Sequence, residues 1–127
     1  MPKTRTDRQI AGALAEDAAC EYLLASGCQL LARNVCFRVG ELDLVMREGH
    51  TVVFVEVRMR RDDRFGGALA SIDVGKRRKV ARAAQAWLAA HPRLAQAPCR
   101  FDVIAVSGEA DRPQCEWLRA AFTMDDV

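Results

Sequence analysis

The sequence predicts a single α/β domain in which one mixed β-sheet is flanked by helices in the order α-β-β-β-α-β. Three observations point there. Two stretches repeat apolar residues at helical spacing, near residues 7–26 and 73–90. Between them lie three consecutive β-rich segments separated by glycine-bearing turns, and after the second helix comes a further alternating segment. At 127 residues the chain has room for one core of ordinary size and not for two, so residues 1–127 are taken as one domain, with 1–6 expected to be flexible.

Thr6 followed by Gln9 forms a capping-box pattern, and Ala11, Leu14, Ala15, Ala18 and Tyr22 then mark the expected buried stripe of a helix from Asp7 to Ser26. Gly27 ends it, and Glu16 lies at the border of its apolar arc. Strands are expected over Gln29–Phe37, Glu41–Arg47 and Thr51–Arg58. A polar loop leads to Ser71 or Asp73 as the cap of the second helix, whose buried stripe is Val80, Ala83, Ala84, Trp87 and Leu88. Lys76 falls on that same inward stripe at the first turn, an unusual place for a lysine unless it snorkels outward. His91-Pro92 stops the helix. Residues Arg100–Val106 alternate as a fourth strand, Ser107–Gln114 read as a loop, and Glu116–Phe122 as a possible edge strand. Trp87 is expected in the core, and Arg100 with Asp102 as a structural pair.

Composition narrows the class. Half the residues are apolar and 28% charged, which is globular usage, and no apolar run approaches the length of a membrane span. The N-terminal segment lacks the apolar stretch of a secretory signal, so a cytoplasmic protein without membrane contact is expected. Five widely spaced cysteines contain no C-x-x-C pair, which argues against a zinc cluster or a disulfide framework. The net charge is only +2, but Arg58 to Arg82 hold nine basic residues against three acidic ones. A polyanion could be held by that segment, with Arg60, Arg61, Arg64, Lys76, Lys79 and Arg82 as the contacts; a solvated helix face is the plainer alternative.

The segment GELDLVMREGHTVVFVEVRMR carries the strongest chemical signal. If Gly49-His50 is a two-residue turn with glycine first, opposed residues sum to 99. Asp43 then faces Glu56, Glu41 faces Arg58, Leu44 faces Val55 and Leu42 faces Val57. Directly opposed Cβ atoms lie about 4.5–5.5 Å apart, so the two carboxylates repel when ionised and need a neutralising partner. One candidate is a hard divalent cation, Mg²⁺ or Mn²⁺, on Asp43 and Glu56. The other is a salt-bridge lattice in which Arg58, with Arg38 or Arg100, satisfies Glu41, Asp43 and Glu56.

These residues also carry a resemblance. Glu41-Leu42-Asp43 followed by Val53-Phe54-Val55-Glu56-Val57-Arg58 resembles the core of the PD-(D/E)XK, restriction-endonuclease-like nuclease superfamily. The likeness is closer to the YraN family of small bacterial proteins, through Gly12-x-x-x-Glu16-x-x-Ala19, Leu31-x-x-Asn34, the two acidic strands, Gly66-Gly67-Ala68, Lys76 and Arg100-Phe101-Asp102. The resemblance implies a restriction-endonuclease-like fold and a metal-dependent endonuclease acting on DNA, including branched or otherwise structured DNA. It makes Asp43, Glu56 and the Val57 carbonyl metal ligands and adds Glu16 as a helix-borne carboxylate. Arg58 stands where the superfamily usually has lysine; it can hold a phosphate but stays protonated and cannot act as a base. Lys76 offers a partial substitute. A nucleic-acid-binding module without turnover and a structural or protein-interaction domain remain the alternatives.

Overall fold

The computed structural model describes residues 6–60, 70–109 and 111–123. Helix α1 spans Asp7–Ala25, strands β1, β2 and β3 span Gln29–Phe37, Gly40–Glu48 and Thr51–Met59, helix α2 spans Val74–Ala89, and strands β4 and β5 span Cys99–Glu109 and Arg112–Phe122. The sheet has five strands in the order β1-β2-β3-β4-β5. β3 and β4 run parallel, and every other neighbouring pair is antiparallel. This is the mixed-sheet α/β architecture expected, with the possible last strand present. Among the described residues no helix is long and apolar enough to cross a membrane.

Local chemistry explains the boundaries. The Thr6 hydroxyl accepts from the Gln9 N–H while the Gln9 side chain accepts from the Thr6 N–H, so both orphan donors at the helix start are satisfied. Thr6 is therefore fixed as a cap; the remainder of the expected flexible terminus lies outside the described residues. Asp73 caps α2 by accepting from the Lys76 N–H. At the first hairpin of the acidic segment Gly49 has φ +60 and His50 has no positive φ, in keeping with a glycine-first turn.

The core has two main layers. On one side of the sheet Ala15, Ala19, Cys20 and Leu23 of α1 pack with Leu44, Met46, Val53, Val55 and Ile104. On the other, Val80, Ala83, Ala84 and Trp87 of α2 pack with Val45, Val52, Phe54 and Phe101. The stripe of α2 is the one expected, and Trp87 is buried against Phe54 and stacked on His91.

Two expectations fail in instructive ways. The buried face of α1 runs through residues 15, 19 and 23, whereas Leu14 and Tyr22 are exposed; alanines and a cysteine form the close helix–sheet contact. Ser107–Gln114 is not a loop. β4 and β5 stay paired through Gly108↔Pro113 to Glu109↔Arg112, with Gly108 at φ +85, a conformation that admits a tight hairpin end lacking the usual β-formers.

One close approach positions a helix over the acidic strands. A Cβ at Gly40 would fall 2.5 Å from the Lys79 carbonyl oxygen, so α2 rests directly on the backbone of the β1–β2 turn.

Candidate metal and phosphate site

The β2–β3 ladder has the expected register, from Glu48↔Thr51 to Leu44↔Val55, and the paired residues stop there. Beyond that point the expected direct pairs of Asp43 with Glu56, Leu42 with Val57 and Glu41 with Arg58 do not form. Asp43 Oδ2 accepts instead from the Val57 N–H at 2.9 Å, a side chain taking the place of a ladder carbonyl. The face alternation breaks at the same residue. Leu42, expected beside Leu44, packs with Val45 and Phe54 on the opposite side of the sheet.

Asp43 and Glu56 nevertheless line one cavity of about 200 Å³, together with Gly12, Ala15, Glu16, Val57, Arg58, Met59 and Lys76. Four elements meet there: α1 supplies Glu16, β2 Asp43, β3 Glu56 to Met59, and the first turn of α2 Lys76. All five expected catalytic side chains and the Val57 backbone thus share one site. Glu56 is only 2% exposed, and among the described residues both of its carboxylate oxygens are buried without a hydrogen-bond partner. Lys76 Nζ stands 3.7 Å from Glu56 Oε1, close enough for charge attraction and too far for a hydrogen bond. Glu16 Oε1 and Arg58 Nε are likewise buried and, among the described residues, without hydrogen-bond partners.

The electrostatics follow from this crowding. Burial, and after it the charge of Asp43, pushes the Glu56 carboxyl up to about 7, against the opposing pull of Lys76 and Arg58. Asp43 is raised by burial, opposed by the Val57 N–H and then by Lys76 and Arg58. Glu16 is raised by burial and then by Asp43, opposed by Arg33 and, to a smaller extent, by Asn34. Three carboxyls in one cavity are all harder to ionise than usual, which is the environment that neutral pairing or a cation relieves.

The lattice of salt bridges drawn from the sequence takes another form. Arg100 does not turn to the acidic pair. It binds Asp102 through two hydrogen bonds of 2.8 and 3.0 Å and reaches Glu48 at 3.0 Å. Asp102, fully buried, also accepts from Trp117 Nε1 at 2.7 Å and from the Ala120 N–H at 2.9 Å. Arg100 and Asp102 are the expected structural pair, enlarged into a network across β4 and β5. Among the described residues Lys76 is the one cation that forms an ion pair with Glu56.

The donor set suits a hard cation of the magnesium type. Such ions bind through one or two carboxylates and keep several waters, and here two carboxylates line one cavity with Val57. The oxygens of Glu56, unpartnered among the described residues, supply acceptors for such an ion. Glu16 does not complete a three-carboxylate cage: among the described residues no three His, Cys, Asp or Glu side chains converge tightly enough for that. Its carboxylate faces a second, polar cavity shared with Asp17, Arg33 and Asn34, and Arg33 Nε lies 3.8 Å from it. The sequence reading gave Arg33 no role, and Asn34 entered only as part of a motif; a basic residue and an amide on an edge strand carry no signal until α1 is laid across them.

The expected basic surface is partly visible. Lys79 and Arg82 are exposed on α2, Lys76 faces the acidic cavity, and Arg60 is paired with Glu116. Arg61 and Arg64 lie outside the described residues, as does Gly66-Gly67-Ala68.

Known proteins place the chain. Residues 15–106 match the family described as "Uncharacterised protein family UPF0102". A UPF0102 protein from Xanthomonas campestris pv. campestris (strain B100) is 56% identical over 126 residues, covering 99% of both chains. Others are 52% identical in Xylella fastidiosa (strain 9a5c), over 94% of this chain and 98% of the relative, and 50% identical in Stutzerimonas stutzeri (strain A1501), over 92% and 98%. The segment matched in the family contains Glu16, Asp43, Glu56 to Arg58 and Lys76, and the chain belongs to the UPF0102 family.

Proposed function

We propose that this protein is a metal-dependent phosphodiesterase that cleaves DNA, with branched or otherwise structured DNA among its candidate substrates. The observation that carries the reading is Glu56: a carboxylate sealed from solvent, with neither oxygen hydrogen-bonded among the described residues, beside a second carboxylate and facing a lysine. Leaving a buried acid unpartnered costs about 1–3 kcal/mol or more, and structural sites avoid it. Asp102 in the same sheet shows the alternative, since it accepts from three different groups. Strongly perturbed carboxyls in a cleft are enriched at functional sites.

In this reading Asp43, Glu56 and the Val57 carbonyl hold Mg²⁺ or Mn²⁺. The ion supplies Lewis-acid polarisation of a phosphate oxygen and lowers the pKa of an attacking water. Lys76 and Arg58 face the same cavity and give the scissile phosphate two positive charges to settle against. Arg58 acts by charge alone, so proton handling falls to the carboxyls and to Lys76. The exposed arginines and lysines of α2 hold the flanking phosphates.

The replacement of the usual superfamily lysine by Arg58 favours a second reading, a nucleic-acid-binding protein that keeps the scaffold without turnover. A panel of linear, nicked, flapped and four-way DNA, incubated with Mg²⁺ or Mn²⁺, separates the two. Metal-dependent cleavage that Asp43→Asn abolishes supports the enzyme. Retained binding without cleavage of any member leaves the binding module, and neither activity leaves a structural domain.

A further inference from the structure

We propose that Asn34 is the positioning residue of the acidic site, because its left-handed backbone interrupts β1 opposite Asp43 and releases that carboxylate into the cavity. This rests on the reading of the cavity as functional, but its geometry stands on three independent observations. Asn34 has φ +53, a region that non-glycine residues rarely adopt and that asparagine tolerates better than most. Arg33↔Leu44 and Val35↔Leu42 are paired, which puts Asn34 against Asp43, yet those two residues are not paired. Leu42 and Leu44, two residues apart on one strand, end in opposite core layers. A regular strand places residues i and i+2 on the same face. The chain therefore turns over at Asp43, between two strands that have both let go of it.

A positive φ beside a strand acid occurs a second time, there with a change of register that β1 does not show at Asn34. Ala120 in β5 has φ +49, near a register shift opposite Asp102, and gives its N–H to Asp102 Oδ1. There the irregularity helps to satisfy a buried acid. At Asn34 the irregularity frees Asp43, whose one hydrogen bond among the described residues comes from Val57 on the far side. With Asn34 extended, β1 and β2 would pair straight through, Asp43 would follow the pleat, and the Val57 N–H would lose its acceptor.

The variants are Asn34→Gly, which keeps the left-handed backbone without the amide, and Asn34→Val, whose branched side chain resists it. The readout is the Val57 amide by ¹H–¹⁵N NMR, assigned by comparison with Asp43→Asn, with calorimetric Mn²⁺ titration alongside. Asn34→Val should move the Val57 amide as Asp43→Asn does and weaken Mn²⁺ binding at least tenfold, while Asn34→Gly keeps both near wild type. Should Asn34→Val not fold, Asn34→Ala takes its place, with the same shift expected. A Val57 amide unchanged in the folded Val or Ala variant overturns the proposal, and so does an amide displaced as much by Gly as by Val. Wild-type protein that binds no Mn²⁺, with the amide pattern as expected, refutes the metal reading and leaves the positioning role intact.

Discussion

Replacing Glu56 by Gln should stabilise the metal-free protein at mildly alkaline pH, the reverse of what most core substitutions do. Glu56 is 2% exposed and its carboxyl sits at about 7 in the folded chain, against 4.5 ordinarily. Between those two values the folded state binds more protons than the unfolded one, so stability falls as pH rises. At about 1.4 kcal/mol per pH unit the full loss is about 3 kcal/mol, complete a little above pH 7. Asp43 and Glu16 are raised as well and add slope of the same sign. Glu48 is lowered by Arg119 and Arg100, so its contribution is lost only as pH falls below its ordinary range, outside the window of interest. Glutamine matches the shape of the carboxyl without its charge. Urea denaturation in EDTA from pH 5 to 8.5 should show wild-type stability declining, Glu56→Gln nearly matching it at pH 5, and the variant ahead by about 3 kcal/mol at pH 8. A wild-type profile that is flat or rises across this range, or a variant less stable than wild type at pH 8, would refute the buried and unsatisfied state of Glu56.

Further outcomes follow from the same geometry. Mg²⁺ or Mn²⁺ at a hundredfold excess over Kd should add about 2.7 kcal/mol to wild-type stability, measured as a rise in thermal midpoint, and Asp43→Asn should lose that gain. Asp102→Ala should cost about 3–5 kcal/mol in urea titrations, because it strands Arg100 and Trp117, and should leave metal affinity of the remaining folded protein unchanged. Affinity for duplex DNA should fall with salt at a log–log slope of about −0.9 per phosphate neutralised; changing Arg78, Lys79 and Arg82 together to Ala should flatten it with no change in far-ultraviolet circular dichroism. A slope identical in wild type and triple variant would move the phosphate surface elsewhere.

Much of the fold was legible because periodicity and punctuation agreed. The Thr6–Gln9 cap, Gly27, the Gly49 turn and His91-Pro92 bound their elements, and the stripe from Val80 to Trp87 is long enough to define a helix face. The α1 face was misplaced because alanine is neutral evidence: Ala11, Ala15, Ala18 and Ala19 permit more than one stripe, and the sheet chooses by contact. Ser107–Gln114 misled because strand propensity is a property of half-buried surfaces, whereas this hairpin end is exposed and held by backbone pairing. At the site, residue types and register named the cluster, but the register argument assumed an unbroken pleat. Asp43 lies opposite Asn34, whose positive φ and missing pair in the neighbouring strand local pattern does not encode. The Arg100–Asp102 pair was legible in the sequence, whereas the further bonds that Asp102 accepts from Trp117 and Ala120 depend on the arrangement of β5.

The most direct test is a calorimetric titration of Mn²⁺ into metal-free protein at pH 7, run in two buffers of different ionisation enthalpy. Saturable binding accompanied by proton release is expected, since carboxyls raised by burial must ionise to become ligands, with both signals gone in Asp43→Asn. Absence of saturable binding, or binding that Asp43→Asn leaves unchanged, would contradict the assignment of this cavity as a metal site.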